Sequence, residues 1–265
     1  MKKLMALLFA LLIASLMSAA FASVLGIADA PYVPERLIGT DDRITIHDPG
    51  VFPYSAIGMM VVTAGCECGY WQGTCFMIGP DIAMTAAHCV TCPIHGVPAK
   101  KIDILFGYKN PEDYLYHYHA GTEFWYGTNF VDGDDSGLWD YAYMRLNEPV
   151  GNTTGYFAMM TPMNSEYDEF GVYKELCSVA GYLDGLKVDT GHVYCDGGLL
   201  LEYVMDTEPG NSGGPVFTPN YYVIGIHIQG TERGNVARRL TPELRDNMRN
   251  NLGGLQVNLS AQSGG

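Results

Sequence analysis

Positive charge is scarce in this chain. Fifteen lysines and arginines stand against 29 aspartates and glutamates in 265 residues, for a formal charge of −14. A surface so poor in cations repels phosphate backbones and anionic lipid, which excludes nucleic-acid and membrane-surface partners. Past the N-terminus no apolar run is long enough to cross a bilayer, and no internal repeat stands out. The chain does have hydrophobic residues at 48%, with 32 glycines and 14 prolines. That balance suits a turn-rich globular protein.

The N-terminus addresses the compartment. Lys2 and Lys3 precede the apolar run Leu4 to Met17, and Ala20-Phe21-Ala22 is a small-x-small cleavage signal. Residues 1–22 therefore read as a secretory signal peptide and the protein as secreted. Residues 23–36, with Pro31 and Pro34 and no periodicity, read as a propeptide. Export makes the seven cysteines disulfide candidates, and an odd count leaves at least one thiol free or paired between molecules. The rival reading is a zinc site from Cys66, Cys68, Cys89 and Cys92, whose spacings allow one.

From Leu37 onward short β-rich runs alternate with Gly, Asp, Asn and Pro. The clearest are residues 57–63, 101–108, 141–146, 176–182, 187–195, 199–204, 222–228 and 236–240. The pattern predicts an all-β protein, with a break at 150–154 that divides residues 37–150 from 151–265. One helix is expected near the end. Thr241 caps it, Pro242 suits its first position, Leu244, Met248 and Leu252 recur at helical spacing, and Gly253-Gly254 stops it.

Amide hydrolysis at neutral pH needs a hydroxyl, an imidazole to activate it, a carboxylate to orient the imidazole, and N–H groups for the oxyanion. Gly210-Asn-Ser-Gly-Gly-Pro215 offers a serine on a glycine-rich turn, with the N–H groups of Gly210 and Ser212 as an oxyanion hole. Thr85-Ala-Ala-His-Cys89 places a histidine after an apolar strand. Trp139-Asp-Tyr-Ala-Tyr143 places a carboxylate at the start of another. Each fragment alone is an ordinary turn or strand end. In the order His88, Asp140, Ser212 they match one known triad order and not the others.

These two signatures resemble those of trypsin-like serine proteases. The bacterial glutamyl endopeptidases of that superfamily are more similar still. Leu37-Ile-Gly-Thr-Asp-Asp-Arg43 resembles their mature N-terminus, and residues 53–57, 77–80, 147–157 and 200–207 resemble internal segments. The resemblance implies two packed six-stranded antiparallel β-barrels with a C-terminal helix, a triad between them, protein or peptide substrates, a monomer, and no cofactor or metal. It also implies activation by a protease cutting at Arg36-Leu37. Asn211 stands where trypsin has an aspartate for the new N-terminus, so Leu37 is expected to help build the substrate pocket instead. His227 and Thr207 match the family's pocket residues for a substrate Glu, although Ile228-Gln229 departs from its pattern. Asp206, six before Ser212, is where trypsin selects Arg or Lys, which keeps a basic or broad preference open. An inactive binding protein on the same scaffold is the reading from another class. The superfamily tethers its histidine loop by a disulfide. Cys75 is the expected partner of Cys89, with Cys66 or Cys68 as alternatives, and Cys177–Cys195 would close a short loop in the second barrel. His117 and His119, on one strand face, read as solvated rather than metal-binding, as does the turn Asp132–Asp135.

Overall fold

Side-chain alternation sets the faces of the first sheet. In β5 (Lys101–Phe106), Ile102, Ile104 and Phe106 are buried while Lys101 is exposed, as a strand with one face on a core requires. β2 (Ile57–Thr63) is buried along most of its length because it lies between β5 and β3 (Tyr70–Met77), antiparallel to both. The computed structural model describes residues 35–92, 94–120, 123–131 and 137–252. The signal segment, residues 23–34 of the expected propeptide, the Asp132–Asp135 turn and the Gly253-Gly254 stop lie outside the described residues.

β4 (Ile82–Thr85), β6 (Tyr116–Ala120), β7 (Phe124–Tyr126) and β8 (Ala142–Arg145) complete a seven-stranded antiparallel sheet in the order β6-β5-β2-β3-β4-β8-β7. A short α1 (Thr128–Val131) precedes β8, and α2 (Gly151–Thr154) follows it. The second sheet contains β1 (Ile44–Thr45), β9 (Ala158–Met159), β10 (Cys177–Tyr182), β11 (Leu186–Gly191), β12 (Val193–Tyr194), β13 (Leu200–Tyr203), β14 (Pro215–Phe217), β15 (Tyr222–Gly230) and β16 (Asn235–Arg239). Its order is β1-β11-β10-β14-β15-β16-β13-β12, with β9 parallel to β15.

Both sheets curl into half-barrels, so the all-β, two-barrel expectation is met. The strand count is corrected: seven and nine rather than six and six. The surplus is small, since β1, β9 and β12 have two residues each and β7 three. The expected run 187–195 breaks at His192 into β11 and β12.

The C-terminal helix α3 (Pro242–Asn251) begins as its sequence dictates. Thr241 Oγ1 accepts from the Leu244 N–H at 3.3 Å, and Pro242 opens the first turn. Leu244, Met248 and Leu252 are buried in one continuous core with β2, β4 and β8. Tyr143 of β8 donates to Asn247 at 2.9 Å and accepts from Asn251 at 2.6 Å. This helix, the last among the described residues, thus returns to the first sheet and clamps the two halves, with β10 lying across β2 and β3.

Candidate active site

His88 sits in a single 3-10 turn, Ala87–Cys89, which starts where β4 ends. Its backbone N–H donates to Asp140 Oδ1 at 3.0 Å, and its ring Nδ1 lies 2.7 Å from Asp140 Oδ2. One carboxylate therefore fixes both the main chain and the ring, which assigns the Nδ1 proton to the Asp140 side. Asp140 is buried directly before β8. Burial opposes charge on the His88 imidazole, but the Asp140 carboxylate, with the Cys89 sulfur beside it, outweighs this. The His88 pKa stands well above its ordinary value.

Ser212 lies in a turn held by first-sheet residues. Gly213 has φ +84°, and a Cβ there would fall 2.1 Å from Thr85 Oγ1 and 2.2 Å from the Thr74 carbonyl, so only glycine fits. Thr74, fully buried in β3, makes four bonds. Its N–H donates to the Ser212 carbonyl at 2.8 Å, its hydroxyl donates to the Gly210 carbonyl at 2.7 Å and accepts from the Tyr182 N–H at 2.9 Å. Its own carbonyl accepts from Thr85 Oγ1 at 2.7 Å. The Cys89 thiol, next to His88, approaches the Ser212 carbonyl at 3.5 Å. The serine turn of the second sheet is thereby docked on the histidine turn of the first. Among the described residues the N–H groups of Gly210 and Ser212 have no backbone acceptor.

A carboxylate other than Asp140 reaches the serine. Glu35 is 6% exposed, and its Oε1 accepts a short hydrogen bond from Ser212 Oγ. Ser212 Oγ also faces the Ile228 carbonyl at 3.5 Å, and among the described residues it is not bonded to His88. The main chain that delivers Glu35 runs beside Thr207. The Arg36 carbonyl accepts from the Thr207 N–H at 3.1 Å and from Asn235 Nδ2 at 2.9 Å. The Arg36 N–H donates to Asn235 Oδ1 at 3.1 Å.

His227, in β15, is fully buried, and its Nδ1 lies 2.6 Å from the Tyr203 hydroxyl. Burial first, and then the charge of His88, depress its pKa to about 3, so it is neutral. With Tyr203 donating to Nδ1, the ring proton resides on Nε2. Among the described residues, four buried polar atoms in this region have no protein partner: Glu35 Oε2, Thr207 Oγ1, Asn211 Nδ2 and His227 Nε2. Asp206 does not stand free in a pocket. Its two carboxylate oxygens accept from the Ile38 N–H at 2.5 Å and the Asp42 N–H at 3.4 Å. Leu37 is 41% exposed.

The structure holds all seven cysteines as separate thiols, with neither expected bridge formed. Cys75 Sγ sits over Gly58 and Cys89 Sγ over Gly73 and the Ser212 carbonyl, while burial first, and then the nearby Cys89, push the Cys75 thiol pKa up. Cys177 Sγ turns to the Glu175 carbonyl and Cys195 Sγ to that of Gly198, with Arg239 against it at 3.6 Å. Cys89 is likewise not grouped with Cys66, Cys68 and Cys92. His117 meets Asp103 at 3.5 Å. Sequence reasoning missed Glu35, Tyr203 and Thr74. Tyr203 lies close in sequence to Asp206 and Thr207, but an aromatic in a strand carries no local signal.

The comparisons fit this geometry. Residues 73–226, more than half of the chain, match the trypsin-like peptidase domain family. A glutamyl endopeptidase of Bacillus licheniformis is 29% identical over 84% of this chain and 71% of its own length. A Bacillus subtilis protein named as an extracellular metalloprotease is 29% identical over 81% and 69%. A Staphylococcus epidermidis glutamyl endopeptidase is 24% identical over 84% and 77%. A solved Glu endopeptidase in complex with MPD superposes with TM-score 0.69 at 22% identity, covering 83% of this chain and all of the other. The protease Anisep of Arthrobacter nicotinovorans superposes at 0.61 with 16% identity, over 75% and 96%. This chain therefore belongs to the trypsin-like peptidase family and is a serine endopeptidase of chymotrypsin-like fold.

Proposed function

We propose that the chain is the precursor of a secreted, monomeric endopeptidase that cleaves after Glu, with His88, Asp140 and Ser212 as its triad. The observation that carries this reading is the buried Glu35 carboxylate on Ser212 Oγ, in a molecule where the buried His227 Nε2 and Thr207 Oγ1 have no partner among the described residues. A carboxylate is costly to bury unless donors meet it. The precursor's own Glu occupies the space where a substrate Glu would be read.

In the mature enzyme Ser212 Oγ attacks the peptide carbonyl and His88 takes its proton. Asp140 holds the imidazole and stabilises it once charged. The N–H groups of Gly210 and Ser212 receive the oxyanion. His88 then gives the proton to the leaving amine, and water releases the acyl-enzyme.

Cutting Arg36-Leu37 by an activating protease frees Glu35 to leave. Both residues are exposed, which suits that cut. It also creates an ammonium on Leu37, next to where Thr207 and Asn235 now grip the Arg36 carbonyl. A cation there complements a substrate carboxylate. The Lys2-Lys3 start, the apolar run and Ala20-Phe21-Ala22 support export, as does the likeness to a Bacillus subtilis protein named an extracellular metalloprotease.

Cleavage profiling of the chain beginning at Leu37 tests this, on peptides with Glu, Asp, Arg, Lys or Phe before the scissile bond. Preference for Glu is expected. Preference for Arg or Lys would transfer the pocket role to Asp206 and refute the assignment of His227 and Thr207.

A further inference from the structure

The β2–β3 hairpin and the loop behind His88 each present two metal-binding side chains, and the fold brings them together. Cys66 and Cys68 lie in the hairpin tip, closed by the Ala64 N–H on the Gly69 carbonyl at 2.9 Å. Cys92 and His95 lie in a tight loop, closed by Cys92 N–H to Val97 O and Gly96 N–H to Cys92 O, both 2.8 Å. Gly65 lets the two segments meet, since a Cβ there would fall 2.3 Å from the Pro98 carbonyl and 2.8 Å from Val97.

Cys92 Sγ is 3.5 Å from Cys68 Sγ, and His95 Nδ1 is 3.3 Å from Cys68 Sγ and 3.7 Å from Cys92 Sγ. With the Cys66 sulfur, all four ligand atoms lie within 4.8 Å of one another. A tetrahedral Zn2+ with ordinary Zn–S and Zn–N bonds spaces its sulfurs roughly 3.8 Å apart and its sulfur–nitrogen pairs about 3.5 Å apart. A disulfide needs two sulfurs about 2.05 Å apart. It would leave a third thiol and the imidazole without a role.

We propose that Cys66, Cys68, Cys92 and His95 form a structural zinc site that ties the β2–β3 hairpin to the loop carrying His88. Soft thiolates with one imidazole in a closed set of four select Zn2+ over hard cations, and leave no position for substrate. Binding Zn2+ releases the three thiol protons to solvent. This tether would act on the same loop as the disulfide expected at Cys89. Any effect on proteolysis rests on the function proposed above, whereas metal binding does not.

The test is the metal content of the full chain, prepared reduced, loaded with Zn2+ and desalted. About one zinc per chain is expected. Co2+ in its place should give the intense visible bands of a tetrahedral, thiolate-bound ion. His95→Ala should weaken Zn2+ retention at least about tenfold. Should that variant misfold, the Co2+ spectrum of the unaltered chain decides alone. Ser212→Ala should lose proteolysis and keep its zinc, which separates the two readings. Absence of stoichiometric zinc, a pale octahedral Co2+ spectrum, or a disulfide joining any two of Cys66, Cys68 and Cys92 in protein purified from the medium would overturn the site.

Discussion

Replacing Ser212 with alanine removes the nucleophile and adds no volume to a buried turn. In the chain begun at Leu37, kcat should fall at least about 10,000-fold with the melting temperature unchanged, as peptidase assays and calorimetry would show. The pH profile reports His88. The imidazole must be neutral to act as base, and its pKa is raised well above the ordinary value. Hence kcat/KM should climb with pH through a value above about 6.5, and Asp140→Asn should lower that midpoint along with the rate. The same pair stabilises the fold most below the unfolded pKa, and that contribution fades as pH rises through the raised folded value. His227 has the opposite sign. Its pKa of about 3 lies below the unfolded one, so the unfolded chain binds the extra proton. Stability should fall by up to about 1.4 kcal/mol per pH unit between about pH 6.5 and 3, and His227→Asn should flatten that slope in acid titrations. The three residues of the proposed triad stand out in sequence because each sits in short, distinctive surroundings. Glu35 does not, since a glutamate beside a proline acquires its meaning only when Ser212 is brought to it across the fold.

Strands whose inward faces are apolar announce themselves, and β2 and β5 match the residues read from the sequence. β3 did not, although it is central. Gln72, Gly73, Thr74 and Cys75 lack the expected apolar run because this stretch carries the serine turn, not only the core. Thr74→Val would leave the Tyr182 N–H and the Gly210 carbonyl unpaired. A stability loss of about 1–3 kcal/mol is expected by denaturant unfolding. A fall in kcat larger than any rise in KM should accompany it, since Ser212 loses its register. Gly213→Ala forces a Cβ onto Thr85 and Thr74 at positive φ, and should abolish activity and lower the melting temperature. The terminal helix was legible because its cap, proline and apolar spacing are all local.

Two half-barrels meeting at a cleft follow from the strand pattern and the triad order together. The strand count did not, because two-residue strands such as β1 and β12 exist only through their partners. The expected bridges rest on chain export and family resemblance, and the structure forms neither. At this scale the proposed precursor would be restrained by its own segment, with Glu35 on Ser212 and Arg36 held by Asn235. Glu35→Ala in the uncut chain should therefore raise the rate at which Ser212 reacts with small electrophiles. The measurement that reaches furthest is labelling with a fluorophosphonate, followed by peptide mapping. The chain begun at Leu37 should carry the label on Ser212, and the chain retaining Glu35 should label far more slowly. A folded mature chain that stays unlabelled, or carries the label elsewhere, would contradict the assignment of Ser212.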